Sequence, residues 1–293
     1  DAIYFNEKLY IGKREEVFVY NESTGNFDLF YHLAGKNITL SCLHLDKNKN
    51  LWMGTTSNGI YCLSEDKSLS RPVTKGNITS IYEDSSNELW IGSWEEGLYR
   101  VKTDGNIENL RHNPMNTNSL CSNFVRSCCE DNSGDLWIGT FNGLNRYDRE
   151  TGKFHLYTAN GNSPDGLTHS SIWCIVKDGQ GTIWLGTYFG GVNYFNPEYE
   201  IYTRYKVGDT EKAGLSSPIV GRMTEDKDGN LWICTEGGGV NVYDRINNTY
   251  RWYRHEEGRN SISHNNVKAI YYDRANEIMW IGTHLGGLNK LDL

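Results

Sequence analysis

Aromatic and polar side chains recur at one position of a repeated pattern, and their types are suited to binding a ligand. The position directly follows a short apolar segment that ends in Gly and a small polar residue, as in Leu136–Thr140. Its occupants are Arg14, Thr56, Trp94, Phe141, Tyr188, Glu236 and His284. Exposed aromatic rings can stack on the apolar faces of sugars, while Arg, Glu and His can hydrogen-bond hydroxyl groups.

Further candidates lie beside this position and in the segments that join one repeat to the next. The following position adds Glu95, Asn142 and Phe189, and the joining segments add Asn123, Arg126, His169, Trp173, Arg222, Asn266 and Lys268. The mixture of hydrogen-bond donors could suit acidic sugars. The alternative for every one of these residues is structural: packing over neighbouring loops or a second domain, or capping of a loop.

Familiar catalytic and metal-binding motifs do not occur in the sequence. It contains no His-Glu-x-x-His, Gly-x-Ser-x-Gly, phosphate-binding loop or dinucleotide fingerprint. Asp226, Asp228 and Gly229 resemble the start of a calcium loop, but the later ligands are missing, so a hairpin turn is the preferred interpretation. The seven Cys form no Cys-x-x-Cys pair and lie mostly in apolar runs, which indicates small buried side chains. We therefore predict no catalytic residues, no metal and no cofactor.

A repeat must position the candidate residues. The pattern Leu-Trp-Ile-Gly-Thr recurs around the central aromatic residues Tyr10, Trp52, Trp90, Trp137, Trp184, Trp232 and Trp280. Each copy follows an apolar segment that ends in Asp and a short turn, and precedes a Gly-containing loop and two further strand-like segments. Four strands in about 40–50 residues are the size of one β-propeller blade.

Seven such units predict an all-β fold, a seven-bladed β-propeller of four-stranded antiparallel blades that forms a single domain over residues 1–293. In this interpretation the motif Trp packs between neighbouring sheets and the motif Gly permits close backbone approach. The last blade lacks its outer strand, from which we expect the natural chain to continue beyond both ends. The blades are predicted at approximately 1–35, 36–74, 75–113, 114–160, 161–208, 209–256 and 257–293.

Charge and hydropathy exclude some functions. Lys and Arg number 29 against 37 Asp and Glu, a net charge of −8, which argues against nucleic acid as the partner. No apolar run reaches the roughly 18 residues of a transmembrane helix, so any membrane attachment would need segments outside this sequence.

The repeats resemble the two-component regulator propeller family. Residues 131–148 match its hallmark, Asp-x-x-Gly-x-Leu-Trp-Ile-Gly-Thr-x-x-Gly-Leu-x-x-Tyr-Asp, almost throughout, and residues 118–125 match its inter-blade phrase. The first blade departs, because Tyr10 replaces Trp and Arg14-Glu15-Glu16 replaces the Gly-containing loop.

The resemblance implies a non-catalytic sensor module in the periplasmic part of a hybrid two-component histidine kinase of the Bacteroides type. It further implies an oligosaccharide ligand, control of polysaccharide-utilisation genes, a second propeller and a β-sandwich in the same full-length chain, and a homodimeric receptor. Two alternatives remain: a polysaccharide lyase or glycosidase propeller, and a pure protein-interaction scaffold.

Overall fold

The computed structural model describes residues 1–5, 8–34, 38–73, 75–159, 166–197, 201–210 and 214–293. Within these ranges every regular element is a β-strand, and the strands form seven antiparallel sheets. Six sheets have four strands and the last has three. The predicted seven-bladed β-propeller fold with an incomplete last blade is therefore confirmed. The predicted blade boundaries at 35, 36, 74, 160 and 161 lie outside the described residues.

The chain forms two compact units, and the first spans Asp1–Cys128. It contains three blades whose strands pair in chain order. Blade one is β1 (Ala2–Phe5), β2 (Lys8–Lys13), β3 (Glu16–Asn21) and β4 (Asn26–His32). Blade two is β5 (Leu40–Leu45), β6 (Leu51–Thr55), β7 (Ile60–Leu63) and β8 (Leu69–Val73), and blade three is β9 (Ile78–Glu83), β10 (Leu89–Ser93), β11 (Leu98–Val101) and β12 (Ile107–Leu110).

The second unit spans Cys129–Leu293, and the boundary falls within β13. Blade four is β13 (Val125–Glu130), β14 (Leu136–Thr140), β15 (Gly143–Asp148) and β16 (Lys153–Tyr157). Blade five is β17 (Ile172–Lys177), β18 (Ile183–Thr187), β19 (Val192–Asn196) and β20 (Ile201–Tyr205). Blade six is β21 (Val220–Glu225), β22 (Leu231–Thr235), β23 (Gly239–Asp244) and β24 (Thr249–Tyr253), and blade seven is β25 (Val267–Asp273), β26 (Ile278–Thr283) and β27 (Gly287–Asp292).

A buried carboxyl group organises the turn between the first two strands of a blade. In blade three, Oδ1 of Asp84 accepts hydrogen bonds from the backbone N–H groups of Ser86 (2.8 Å) and Glu88 (2.9 Å). Its other oxygen accepts a bond from Nε1 of Trp90 at 2.6 Å. Both side chains are almost fully buried, so the carboxyl group satisfies donors that would otherwise be costly to bury.

The same bond to the motif Trp occurs in four other blades. It joins Asp46 to Trp52, Asp131 to Trp137, Asp178 to Trp184 and Asp226 to Trp232 at 2.6–2.8 Å. Blade seven differs because one additional residue separates Asp273 from Trp280. The backbone N–H groups of Ala275 and Asn276 and the Asn276 amide donate to this carboxyl group instead.

The motif Gly packs against side chains from the first strands of its own blade and of the next blade. A Cβ atom on Gly186 would lie 2.6 Å from Sγ of Cys174 in its own blade and 2.7 Å from Cγ1 of Val220 in the next. Such distances are far below van der Waals contact, so only Gly fits here without displacement of the neighbours. This confirms the role predicted for the motif Gly.

Blades five and six illustrate how consecutive sheets pack. The indole of Trp184 stacks on Tyr205 with ring centroids 5.8 Å apart, and Tyr205 contacts Tyr243 and Tyr250 of the next blade. Arg245 lies over the Trp184 ring and forms ion pairs with Asp178 of blade five and Glu225 of blade six. The motif Trp is thus a packing residue between sheets, as predicted.

The seven cysteines carry free thiols, and all are buried except the partly exposed Cys121. Burial raises the pKa of the Cys128 and Cys234 thiols far above the ordinary range, so these groups stay protonated at neutral pH. The interpretation of the cysteines as small core residues is confirmed for six of them.

Replacement of the buried carboxyl group tests its importance. We expect Asp84→Ala to lower the free energy of unfolding by about 3 kcal/mol, because Trp90 and two backbone N–H groups lose their acceptor. Asp104→Ala is the matched control, since this exposed turn carboxyl group of the same blade accepts hydrogen bonds from the backbone and side-chain N–H groups of Asn106 and holds no buried donor. Urea unfolding should leave the control nearly unchanged, and equal effects would contradict the assigned role.

Candidate functional site

The two sets of candidate residues adjoin at one end of the blade in blades two, three, five, six and seven. In these blades the backbone N–H that follows the motif hydroxyl residue donates to a carbonyl of the segment before the first strand of the same blade. Tyr188 N bonds Ser171 O at 3.0 Å, and His284 N bonds Asn266 O at 2.8 Å. The loop between the second and third strands and the inter-blade segment therefore lie side by side, and we call this end of a blade its loop face.

A β-bulge near the start of the first strand shapes the loop face. In five blades the pairing of the first and second strands skips one or two residues at this point. A bulge bends the strand and redirects the extra side chain. The skipped residues are Ser41, Thr79, Trp173, Gly221 with Arg222, and Lys268.

The bulge residues differ between the two units. In the first unit, Oγ of Ser41 donates to the carbonyl of Ile78 (2.5 Å), and Oγ1 of Thr79 donates to that of Val125 (2.6 Å). Each acceptor belongs to the first strand of the next blade, so these short side chains tie blades together. The second unit carries the larger side chains Trp173, Arg222 and Lys268 at its bulges.

Blade five carries a cluster of rings on its loop face, the aromatic cluster of Trp173, Tyr188, Phe189 and His169. Trp173 and Tyr188 are nearly parallel, with ring centroids 5.5 Å apart and an interplanar angle of 17°. Phe189 meets Tyr188 edge-on at 4.3 Å and His169 at 6.3 Å. Phe189 is 55% exposed, and Trp173 and Tyr188 are partly exposed. The structure thus brings together four residues from both predicted sets.

Charged groups occupy the loop faces of blades six and seven. Glu236, from the loop of blade six, forms an ion pair with Lys268 at the bulge of blade seven. Beside it, the backbone N–H of Gly237 donates to Oδ1 of Asn266 at 2.6 Å. Hydrogen bonds between adjacent blades therefore place a carboxyl group, an ammonium group and an amide next to one another.

Arg222 belongs to the same row of bulge residues, between Trp173 in blade five and Lys268 in blade seven. Its side chain is exposed. Burial raises the pKa of the neighbouring Cys174 thiol to about 12, and the Arg222 guanidinium opposes that shift. The thiol stays protonated at neutral pH, so Cys174 is a packing residue and not a nucleophile.

The first unit has a smaller group of candidates in blade three and the segment that follows it. The Arg126 guanidinium lies 4.6 Å from the centroid of Trp94, and Phe124 packs edge-on against the same indole at 5.3 Å. Asn123 accepts a hydrogen bond from the backbone N–H of His112 at 2.8 Å. The predicted residues Trp94, Arg126 and Asn123 therefore make contacts within the protein itself.

The other predicted residues lie on the surface. Arg14 is exposed and has a φ of +53° in the turn between β2 and β3, which lacks the Gly loop of other blades. Phe141, Asn142, Glu95 and His284 are also exposed. Their positions leave them accessible, and none is within the aromatic cluster.

A buried Asn that supports the loop face was not predicted from the sequence. Oδ1 of Asn193 accepts from the backbone N–H of Thr168 (3.0 Å), and its amide donates to Oγ1 of the same residue (2.7 Å). This pair holds the segment that carries His169. The same clamp joins Asn241 to Ser216 and Asn289 to Ser263. The sequence does contain a pattern that could have indicated this role, because Asn occupies the same place in the third strand of these repeats.

Metal-binding clusters and membrane-spanning helices are both absent from the described residues. No group of three or more His, Cys, Asp or Glu side chains in this part of the chain has a metal-binding arrangement. The same residues include no helix with the length and hydropathy that crossing a bilayer requires. The turn at Asp226 is a hairpin whose carboxyl group accepts from the N–H groups of Asp228 and Asn230, as the preferred interpretation predicted.

Sequence comparison identifies the repeats. Five segments match the model of the two component regulator propeller, namely residues 72–95, 119–142, 166–189, 214–237 and 261–284. Five segments of the chain are therefore two-component regulator propeller repeats, which confirms the resemblance seen in the sequence. No curated protein matches the sequence.

Several solved structures share the fold. The extracellular domain of the putative hybrid two component system BT4673 from B. thetaiotaomicron has 22% identity and a TM-score of 0.54, over 99% of this chain and 45% of that one. Virginiamycin B lyase from Staphylococcus aureus has 16% identity and a TM-score of 0.75, over 99% and 93%. PorZ of Porphyromonas gingivalis has 15% identity and a TM-score of 0.74, over 100% and 46%. The chain thus spans a little under half the length of the BT4673 and PorZ structures.

The Asn clamp leads to a prediction for the loop face. We expect Asn193→Ala to lower the free energy of unfolding by about 2 kcal/mol and to speed amide exchange in residues 166–171, because the backbone N–H and the hydroxyl group of Thr168 both lose their hydrogen bonds to Asn193. Asn247→Ala, at an exposed turn between β23 and β24, is the control. Unfolding and hydrogen exchange should distinguish the two variants, and unchanged exchange at 166–171 would show that the clamp does not hold the segment.

Proposed function

We propose that this chain is a non-catalytic, extracytoplasmic sensor module of a two-component signalling protein, and that it binds an oligosaccharide at the loop faces of blades five to seven. The periplasm is the proposed compartment. A histidine kinase in the same protein would receive the signal and control genes for polysaccharide use. The aromatic cluster is the observation that carries the proposal.

The sensor class is supported by the repeats and by one structural relative. Two-component regulator propeller repeats recur in five segments of the chain. The BT4673 relative is an extracellular domain of a putative hybrid two component system. We extend that role to this chain as a proposal, together with a second propeller and a β-sandwich in the full-length protein and a homodimeric receptor.

The ligand class is supported by the chemistry of the second unit. Sugars present apolar ring faces and a rim of hydroxyl groups, so they need aromatic surface next to hydrogen-bonding groups. Trp173, Tyr188 and Phe189 offer the aromatic surface. The hydrogen-bonding groups come from the two blades that follow, namely from Arg222 and from the paired Glu236 and Lys268.

Signalling requires that the ligand bind one receptor state more tightly than another. The blades are internally braced by buried hydrogen bonds such as that between Asp178 and Trp184, so distortion of a blade would be costly. We therefore propose that binding changes the arrangement of domains or subunits and leaves the sheets unchanged.

Calorimetry of the chain against a panel of neutral and acidic oligosaccharides tests the function. For an oligosaccharide that binds, we expect Trp173→Ala to weaken the affinity about tenfold or more, because an indole surface worth about 1.5–3 kcal/mol of apolar burial is lost.

The matched control is Trp94→Ala, which removes the same side chain from a loop face of the first unit. Its affinity should stay within about twofold of the parent chain. Loss of affinity in Trp94→Ala alone would move the site to the first unit, and no binding by the complete ectodomain to any oligosaccharide would refute the sensor proposal.

A lyase or glycosidase is the second candidate function, favoured by the fold similarity to virginiamycin B lyase. The exposed His284 and the carboxyl group of Glu236 are the residues on which acid–base chemistry would depend. Turnover of a polysaccharide or of a lyase substrate that disappears in His284→Ala or Glu236→Gln would support this function over sensing.

A further inference from the structure

In four blades the first strand places a small residue opposite the motif Gly. The pairs are Cys42 with Gly54, Ser80 with Gly92, Cys174 with Gly186 and Ala269 with Gly282. A Cβ atom added to any of these glycines would lie 2.5–3.2 Å from the side chain of its partner. The narrow space beside the second strand therefore accepts a side chain from only one of the two strands.

Blade six exchanges the two residue types. Cys234 occupies the place of the motif Gly, and Arg222 occupies the place of the small residue in the first strand. Cys234 is fully buried and packs in a core cluster with Val240 and Val267. The pairing of β21 with β22 skips Gly221 and Arg222 together, and the Arg222 side chain is exposed. In this blade the space is thus filled from the second strand, and the residue of the first strand lies outside it.

The neighbours of Arg222 show where its charge acts. Burial raises the pKa of the Cys174 and Cys234 thiols, and the positive charge of Arg222 opposes this shift in both. Arg222 is therefore close to the first strand of blade five as well as to the second strand of its own blade. Trp173 and Lys268, the bulge residues of blades five and seven, lie on either side of it in the row of bulge residues.

The charges of the candidate residues on blades five to seven favour an anionic partner. These residues include two cations, Arg222 and Lys268, and one carboxylate, Glu236, although the whole chain has a net charge of −8. Lys268 forms its ion pair with Glu236. A guanidinium can bind an anionic oxygen group through two parallel hydrogen bonds, and an aromatic ring beside it can stack on a sugar.

We propose that Arg222 is the specificity-determining residue of the oligosaccharide site, where it binds a carboxylate or sulfate group of the sugar, and that Cys234 stabilises this placement by filling the core space that Arg222 leaves. The inference rests on the proposed function and narrows the ligand to acidic oligosaccharides. An Arg side chain inside the core space would bury a charge at high cost, whereas an empty space would be a destabilising cavity. The exchange of residue types in blade six avoids both.

The compensation between Cys234 and Arg222 is tested by thermal unfolding. We expect Cys234→Gly to lower the melting temperature by about 4 °C, because it opens a cavity in the core. Adding Arg222→Cys to this variant restores the pairing of blades two and five, so under reducing conditions the double variant should recover more than half of the loss. The matched control adds Arg222→Lys instead and should recover none, since Lys also stays outside. An unchanged melting temperature in Cys234→Gly, or no difference between the two double variants, would overturn the compensation.

The binding role of Arg222 is tested by NMR titration of the chain with simple sugars. D-Glucuronate or D-glucose 6-sulfate at millimolar concentration should shift the Trp173 indole signal and amide signals of β21 in a saturable way, and the sugar that binds identifies the anionic group. D-Glucose should not. Arg222→Gln should weaken the binding about tenfold or more, because charge-assisted hydrogen bonds are lost. Arg259→Gln is the control, since it removes another exposed Arg, and should leave the affinity unchanged.

The outcomes distinguish this inference from the proposed function. No saturable binding of either anionic sugar, or binding that Arg222→Gln leaves intact, would overturn the role of Arg222. A neutral oligosaccharide whose affinity falls in Trp173→Ala but not in Arg222→Gln would also overturn that role, while it would support the sensor proposal.

Discussion

The bond between a buried Asp carboxyl group and the indole N–H of the motif Trp is the interaction on which each of five blades depends. A large aromatic ring can fill the space between two sheets only if its single polar atom has an acceptor. The same carboxyl group accepts from the backbone of the turn before the Trp strand, so it also sets the pairing of the first two strands. Turn, register and inter-blade packing therefore depend on one side chain, as Asp178 illustrates with Gln180, Thr182 and Trp184.

At the loop face the backbone is repeated from blade to blade, but the side chains differ. Gly237 and Leu285 are equivalent loop residues with φ values of +80° and +63°. Gly adopts this conformation readily, whereas for Leu it costs about 1 kcal/mol of backbone strain, and the Leu285 side chain is 90% exposed. The rigid sheets tolerate such a residue, which leaves the loops free to present different groups on each blade.

Prediction from the sequence succeeded where contacts are local or repeated. The spacing of Asp, Trp and Gly predicted the blades and the packing roles of the motif Trp and Gly, because the same spacing recurs in successive repeats. The Asp–Trp bond and the Asn193 clamp were missed, although both residue types recur, because a recurring polar residue does not reveal its partner. The predicted binding residues are placed on the loop face by the structure, but their role in binding remains our proposal.

The sequence by itself determined the number of blades, the order of strands within a blade and the positions that reach the loop face, since strand alternation and turn residues are local properties. Only the tertiary structure decided which of those residues meet. Trp94 is covered by Arg126, whereas Trp173 stacks on Tyr188 and Lys268 pairs with Glu236. The reason is geometric: bulges and inter-blade hydrogen bonds set the direction of each side chain, and they join residues that lie far apart in the chain.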